Sequence, residues 1–308
     1  MKIIVTGALG HIGSALIRSL PLQFPKAEIM MIDDLSTQRY TSLFNLPSGM
    51  KYRFIEKNVK AVAWEAVLEH ADVVIHLAAL TDAAGTADKP DLVHQNNFES
   101  TKILAEACLK AGVPFLFPSS TSVYGSQEEQ VDEECQELAP QSPYAACKIK
   151  EEALVRDLCA KGLQGVICRF GTIYGVSPGM RFHTAVNKFC WQAVMRQPIT
   201  VWETALHQKR PYLALDDCCR AISWILENKL YNGQLYNVVS NNFTVQTVID
   251  EIQKNISDLH VELVQHKIMN QLSYEVMSDK FRATGFSFEG QLASGIGETI
   301  NLLKNANG

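Results

Sequence analysis

A chain of 308 residues, 47% hydrophobic and 20% charged, is long enough to bury a large core, and a chain of this size hides about 75% of its unfolded surface. Its net charge of −5 argues against a general nucleic-acid binder, which needs a basic face to neutralise phosphates. No apolar run reaches the length of a membrane span, and no signal-like region precedes the first strand pattern, so a cytoplasmic protein with no membrane partner is expected.

The first 170 residues alternate short apolar runs with helical patterns. KIIVTG (2–7), AEIMMID (27–33), KYRFIE (51–56), DVVIHLAA (72–79), VPFLFPSS (113–120) and GVICRFG (165–171) each predict a strand covered on both faces, because their apolar residues are nearly continuous. Helices are predicted near 11–20, 61–70, 91–111 and 143–161. This alternation predicts an α/β fold, a Rossmann-type doubly wound parallel sheet with right-handed crossovers.

From about residue 176 the pattern loosens. A helix near 183–196, short strands near 199–202 and 211–215, and helices near 217–228, 244–256 and 289–304 predict a smaller, partly interleaved C-terminal lobe. The expected division is a nucleotide-binding domain at 1–175 and a substrate lobe at 176–308, with some segments returning to the first domain. A crevice between them is the expected place for function.

IIVTGALGHIG sets Gly7, Gly10 and Gly13 between the first strand and the first helix. Glycines here allow a tight turn, close approach of a pyrophosphate and tight helix–sheet packing, over a helix N-terminus that favours anions. Twenty residues beyond Gly13, the second strand ends in Asp33-Asp34. A carboxylate there can accept from ribose hydroxyls and repels a 2′-phosphate, which favours NAD over NADP. Further on, Tyr144 and Lys148 stand one turn apart on a predicted helix. Spacing alone says only that they share a face.

Eight cysteines occur, without Cys-x-x-Cys or a zinc-like His/Cys spacing. Most lie in apolar segments, so reduced, buried thiols and no metal are expected.

GALGHIG, Asp33-Asp34, HLAA (76–79), NNFEST (96–101), SSTSVYG (119–125), YAACK (144–148), RFGTIYG (169–175) and RPYLALDD (210–217) follow one another in this order. On these pieces the chain resembles the extended short-chain dehydrogenases/reductases, in the nucleotide-sugar epimerase/dehydratase group of UDP-glucose 4-epimerase-like proteins. The resemblance implies that NAD is held by Gly7, Gly10, His11, Ile12 and Gly13, by Asp33, Asp34, Asn58 and Val59, and by Leu77, Ala78 and Ala79. It adds Ser119, with Asn97 orienting the helix of Lys148 or a bound water. Tyr144 is implied as the general base or acid on the sugar hydroxyl, and Ser120 as its partner on the same oxygen. Lys148 is implied to hold the nicotinamide ribose and to lower the phenol's pKa, ordinarily about 10. Substrate contacts are implied for Ser120, Thr121, Thr172, Asn187 and Arg210, with Arg181 a further candidate for the diphosphate.

The chain departs from the family pattern in places. Asn58 replaces a frequent aspartate and Thr172 replaces an asparagine. A second, late phosphate-binding arginine has no clear match, with His266, Lys267 and Arg282 as candidates. After Ser120 come only the hydroxyls of Thr121 and Ser122, where dehydratases of the group carry Asp-Glu and decarboxylating members a glutamate. Cys147 lies roughly 100° around the helix from Lys148 and is taken as packing. What remains suits NAD-dependent epimerisation of a nucleotide sugar at C4 through a transient 4-keto sugar, with UDP-hexose or UDP-hexuronate as substrate. The alternatives are a 4,6-dehydratase or 4-ketosugar reductase of the same family, or a non-catalytic NAD(P)-sensing protein. Family analogy implies a homodimer through the helices near 91–111 and 143–161.

Overall fold

Seven strands, all parallel, form the main sheet in the order Leu235–Val238, Gly165–Phe170, Phe115–Ser120, Val73–His76, Lys2–Thr6, Glu28–Asp33 and Lys51–Glu56. The computed structural model describes residues 1–82, 85–127, 130–265 and 274–307. Successive side chains in these strands take opposite faces. Ile3, Val5, Ile29, Met31, Val73 and Ile75 pack on one face with the helices His11–Gln23 and Leu215–Glu227. Ile4, Met30, Ile32, Val74, Phe115 and Phe117 pack on the other with Glu99–Ala111 and Pro143–Ala160. Six of the strands are covered on both faces, which is why they read as apolar runs, whereas the edge strand Lys51–Glu56 has exposed and part-buried residues only, against the expectation for KYRFIE.

Six of these strands lie where the sequence places them. The seventh, Leu235–Val238, comes from beyond residue 176 and extends the sheet next to Gly165–Phe170. The helix expected at 91–111 is interrupted: Pro90–Val93 leads into a π-type turn at His94–Phe98 before Glu99–Ala111 begins. Strand order reverses between Lys2–Thr6 and Val73–His76. A crevice opens there, at the carboxyl ends of the strands.

At Gly171 the chain passes from the main sheet into the second lobe. The N–H of Gly171 donates to Val238 O at 3.1 Å, and a Cβ on it would lie 3.0 Å from Tyr212 backbone. The next strand, Thr172–Tyr174, pairs with Lys209–Ala214 and through it with Asn241–Thr244. Tyr174, Phe189, Tyr212, Ile249 and Ile296 form the core of this lobe. Among the described residues, no helix is long and apolar enough to cross a membrane.

Candidate active site

The nucleotide end is built from the first turn. Gly7 has φ +64, and a Cβ on it would sit 2.6 Å from Ala78 N, so only glycine fits both backbone and neighbour. Its carbonyl accepts from Gly10 N at 3.1 Å. Asp33 is held by backbone: Leu9 N donates to Oδ2 at 3.1 Å and Leu35 N to Oδ1 at 3.0 Å, while burial raises its pKa against the pull of these bonds. Asp34 accepts from Asn58 Nδ2 at 2.9 Å and Ser36 N at 3.0 Å. Partial burial works against its charge, yet these bonds hold its carboxyl below the ordinary value. Asp33, Asp34, Asn58, Val59, Leu77, Ala78 and Ala79 all border one cavity of about 300 Å³.

A second cavity of similar size joins it at Gly7 and Gly10 and leads to Tyr144. The helix Pro143–Ala160 starts cleanly because Ser142 Oγ accepts from Ala145 N at 3.1 Å and Pro143 fills the first helical position. Tyr144 and Lys148 therefore enter the cavity from a rigid first turn. Ser120 ends the strand Phe115–Ser120 opposite them and hydrogen-bonds the Tyr144 side chain. Ser122 Oγ donates to Ser120 Oγ at 2.9 Å.

Lys148 is 3% exposed, so its charge needs partners. Its Nζ donates to Pro118 O at 3.0 Å, lies 3.3 Å from Glu151 Oε2 and stands 4.4 Å from the centroid of the Phe117 ring. Burial opposes the ammonium, yet Glu151 and Tyr144 hold its pKa above the ordinary value. Burial also pushes the Tyr144 phenol up, while Lys148, Arg181 and the Ser120 bond pull it down.

His11, Ile12, Gly13, Ser119, Ser120, Thr172, Tyr144 and Lys148 line this second cavity. Other expected contacts go elsewhere. Asn97 is fully buried, and its amide pairs with Leu80: Oδ1 accepts from Leu80 N at 2.8 Å and Nδ2 donates to Leu80 O at 3.0 Å. It thereby holds the loop after Val73–His76, from a turn that packs against the helix of Lys148. Thr121 points away, donating to Phe170 O at 3.3 Å, and Ser122, two residues after Ser120, takes the cavity face instead. Asn187 is buried, with Nδ2 donating to Arg181 O at 3.0 Å and Oδ1 accepting from Gly175 N at 3.2 Å. Neither it nor Arg210 lines the two cavities. Arg210 Nε is buried without a hydrogen-bond partner among the described residues. Cys147 is buried, its thiol pushed up to about 12 chiefly by that burial, and it too is absent from the cavity walls. His266 and Lys267 lie outside the described residues. The Arg282 guanidinium stacks on Phe288, 4.7 Å from its centroid.

Sequence reasoning missed Ser122, Glu151, Arg39 and Thr81. Ser120 caps the 3-10 turn Thr121–Val123, its Oγ accepting from Ser122 N at 3.2 Å, and a serine two residues after a capping serine is the signal that could have paired them. Glu151, one turn past Lys148, could have been read from the same helical spacing that joined Tyr144 to Lys148. Arg39 and Thr81 sit in polar loops with no local pattern.

Residues 3–238 match the NAD dependent epimerase/dehydratase family. The chain belongs to that family. NAD is the cofactor of this epimerase/dehydratase family. The chain is 31% identical over 276 residues to an uncharacterized UDP-glucose epimerase, YtcB, of Bacillus subtilis (strain 168), covering 84% of each protein. It is 26% identical to the UDP-glucuronic acid 4-epimerase of Bacillus cereus, whose structure with UDP-glucuronic acid and NAD superposes with a TM-score of 0.86 over 99% of this chain and 100% of that one. It is also 25% identical over 316 residues to the dTDP-D-glucose 4,6-dehydratase of Mus musculus, covering 97% of this chain and 87% of that protein. Both branches of the epimerase/dehydratase family are thus within reach, and the side chains of the cavity must choose between them.

Proposed function

We propose that the chain is an NAD-dependent epimerase acting at C4 of a nucleotide sugar, with UDP-hexose or UDP-hexuronate as substrate. The observation that carries this reading is the lining of the catalytic cavity. It holds Tyr144, Lys148, Ser120, Ser122 and Thr172, and no carboxylate among the described residues. Elimination of water in a 4,6-dehydratase needs a further acid and base, whereas moving one hydride out and back needs only a group that takes and returns one proton.

Bound NAD supplies the acceptor and later the donor of the hydride. The pocket fits such a cofactor: Gly7 and Gly10 line the junction of the two cavities without side chains, and the carboxylates at 33 and 34 border the end that would take the ribose. In this reading the Tyr144 phenolate accepts the proton of the 4-hydroxyl, and Ser120 holds the same oxygen. Lys148 stabilises the phenolate and grips the ribose. Once the 4-keto sugar has presented its other face, Tyr144 returns the proton.

The same proposal takes residues 1–175 as the nucleotide-binding part and 176–308 mainly as the substrate lobe. It takes the helices Glu99–Ala111 and Pro143–Ala160 as the faces of a homodimer, to be checked by light scattering; a monomeric mass would count against the dimer.

The test is incubation of the purified protein with a panel of nucleotide sugars and no added cofactor. One sugar should convert to its C4 epimer with no net change in nicotinamide absorbance. A 4-keto-6-deoxy product, or net reduction of cofactor, would assign the chain to the dehydratase or reductase branch.

A further inference from the structure

Two arginines from opposite sides of the crevice converge on its waist. Arg39 lies in the loop after Glu28–Asp33, and Arg181 in the segment between Thr172–Tyr174 and the helix Ala185–Val194. Both border the cavity that holds Asp33, Asp34 and Asn58, and Arg181 also borders the catalytic cavity. Arg39 Nη1 is buried with no hydrogen-bond partner among the described residues, and lies 3.9 Å from where a Cβ on Gly10 would stand. Arg181 Nη1 donates to a neutral hydroxyl, Thr81 Oγ1. Like charges brought together out of water repel, and Asp33 near Arg39 and Asp82 near Arg181 offset them only in part, which leaves room for a further anion. Burial, and then Arg39, depress the Arg181 pKa to about 10.

Arg181 is held in place beforehand. Ser177 Oγ donates to His11 O at 2.9 Å, Gly179 N donates to Ser14 Oγ at 2.9 Å, and His11 Nε2 donates to Gly175 O at 2.9 Å. A Cβ on Gly179 would lie 2.3 Å from Leu9 O, so this contact needs glycine. The segment before Arg181 is therefore stitched to the loop that opens the helix His11–Gln23. A dinucleotide laid along the two cavities has its diphosphate at their junction, beside Gly7 and Gly10 and over that helix N-terminus. A planar guanidinium suits the phosphate oxygens. The substrate's own diphosphate is the competing anion, but Arg39 borders only the Asp33–Asn58 side.

We propose that Arg39 and Arg181 form a two-sided clamp on the diphosphate of the bound dinucleotide, which keeps the cofactor in place between turnovers. The inference rests on the NAD reading of the site and deepens it.

Full-length protein stripped of nucleotide is titrated calorimetrically with NAD, ADP, adenosine and UDP, as wild type, Arg39→Gln and Arg181→Gln. Each substitution should weaken NAD and ADP by roughly 10- to 100-fold, the loss of a charged hydrogen bond, and leave adenosine, which lacks phosphate, within about twofold. Arg39→Lys and Arg181→Lys, which keep the charge and lose the fork, should fall between. They carry the test if a glutamine variant loses adenosine binding or its thermal transition. Unchanged ADP and NAD affinity in the variants overturns the clamp. So does a fall in UDP affinity with ADP unchanged, since that assigns the arginines to the substrate. A wild-type chain that binds neither NAD nor ADP would sink the cofactor reading itself.

Discussion

Lys148 Nζ lies 3.3 Å from Glu151 Oε2, with the two side chains 4% and 1% exposed. Glu151 Oε1 also accepts from the Thr101 hydroxyl. Thr101 Oγ1 then accepts from His76 Nε2 at 3.2 Å, and His76 Nδ1 accepts from Thr6 Oγ1 at 2.7 Å. This order of donors leaves His76 neutral, in keeping with a pKa lowered to about 3 by burial and then by Lys148. A buried polar chain thus runs from the first strand to Lys148.

Glu151 raises Lys148 and also opposes the Tyr144 phenolate. The groups facing this carboxylate or the phenol are Lys148 and Cys147 on the same helix, Thr101 from the helix Glu99–Ala111, with His76 behind it, and Arg181 and Ser120 across the cavity. Removing the negative charge in Glu151→Gln should lower the Tyr144 pKa. The acid limb of the kcat/KM profile then moves to lower pH. A merely structural role would reduce the rate without moving the limb.

Tyr144→Phe removes the proton carrier and leaves the ring. Turnover should fall by roughly 10²–10⁴-fold, with NAD affinity by calorimetry kept. Lys148→Met strips the phenolate of its cation, so its acid limb should move to higher pH, the opposite direction to Glu151→Gln. A binding protein would show no turnover to lose in either variant.

Much of the site was legible because its chemistry is local. Strands covered on both faces must be apolar throughout, and the tight turn after the first strand needs glycine at Gly7, where φ is +64 and a Cβ would meet Ala78 N. What escaped is settled by tertiary contacts. The seventh strand carries Asn237, fully buried, whose Oδ1 accepts from Tyr124 OH at 2.8 Å and whose Nδ2 donates to Met277 O at 3.0 Å. Those partners lie far along the chain, and without them an asparagine argues against a buried strand. The π-type turn that aims Asn97 at Leu80 left no trace in the helical periodicity. Arg39 carries no signal in the sequence, and only the fold brings Arg181 to the same cavity.

Gly7→Ala tests the cofactor turn. The substitution forces a side chain onto φ +64 and 2.6 Å from Ala78 N. Strain of this kind costs on the order of 1–3 kcal/mol, and relief would push the loop after Val73–His76 out of place. Thermal unfolding should occur at lower temperature and NAD affinity should drop. Gly49→Ala, at φ +80 with nothing near its Cβ, should lose stability without losing NAD.

Two buried histidines set an acid limit on stability. Burial depresses His76 to about 3 and His11 to about 4, against 6.5 for the free side chain. The unfolded chain therefore binds protons at these sites that the native chain refuses. Their contribution is fully present above pH 6.5 and is lost as pH falls toward the depressed values, at up to about 1.4 kcal/mol per pH unit for each. Asp33 and Glu133, raised mainly by burial, act the other way at lower pH. The urea midpoint should fall between pH of about 7 and about 5, and His76→Gln should flatten that slope.

The buried pair behind Ser119 offers a stability test apart from catalysis. Arg169 Nε and Nη2 donate to Glu152 Oε1 and Oε2 at 2.9 and 2.7 Å, and Ser119 Oγ also donates to Oε1. Arg169 and Glu152 are each 2% exposed. The pair ties the helix Pro143–Ala160 to the strands Phe115–Ser120 and Gly165–Phe170, and so fixes the distance between Tyr144 and Ser120. Glu152→Gln leaves the guanidinium buried without a counter-charge, and should cost about 3–5 kcal/mol, read as a lower denaturant midpoint. Replacing both partners, as Glu152→Leu with Arg169→Met, removes the stranded charge and should recover most of that loss. If the double variant is less stable than Glu152→Gln alone, the pair is worth more than its desolvation, and the penalty does not arise from an unpaired arginine.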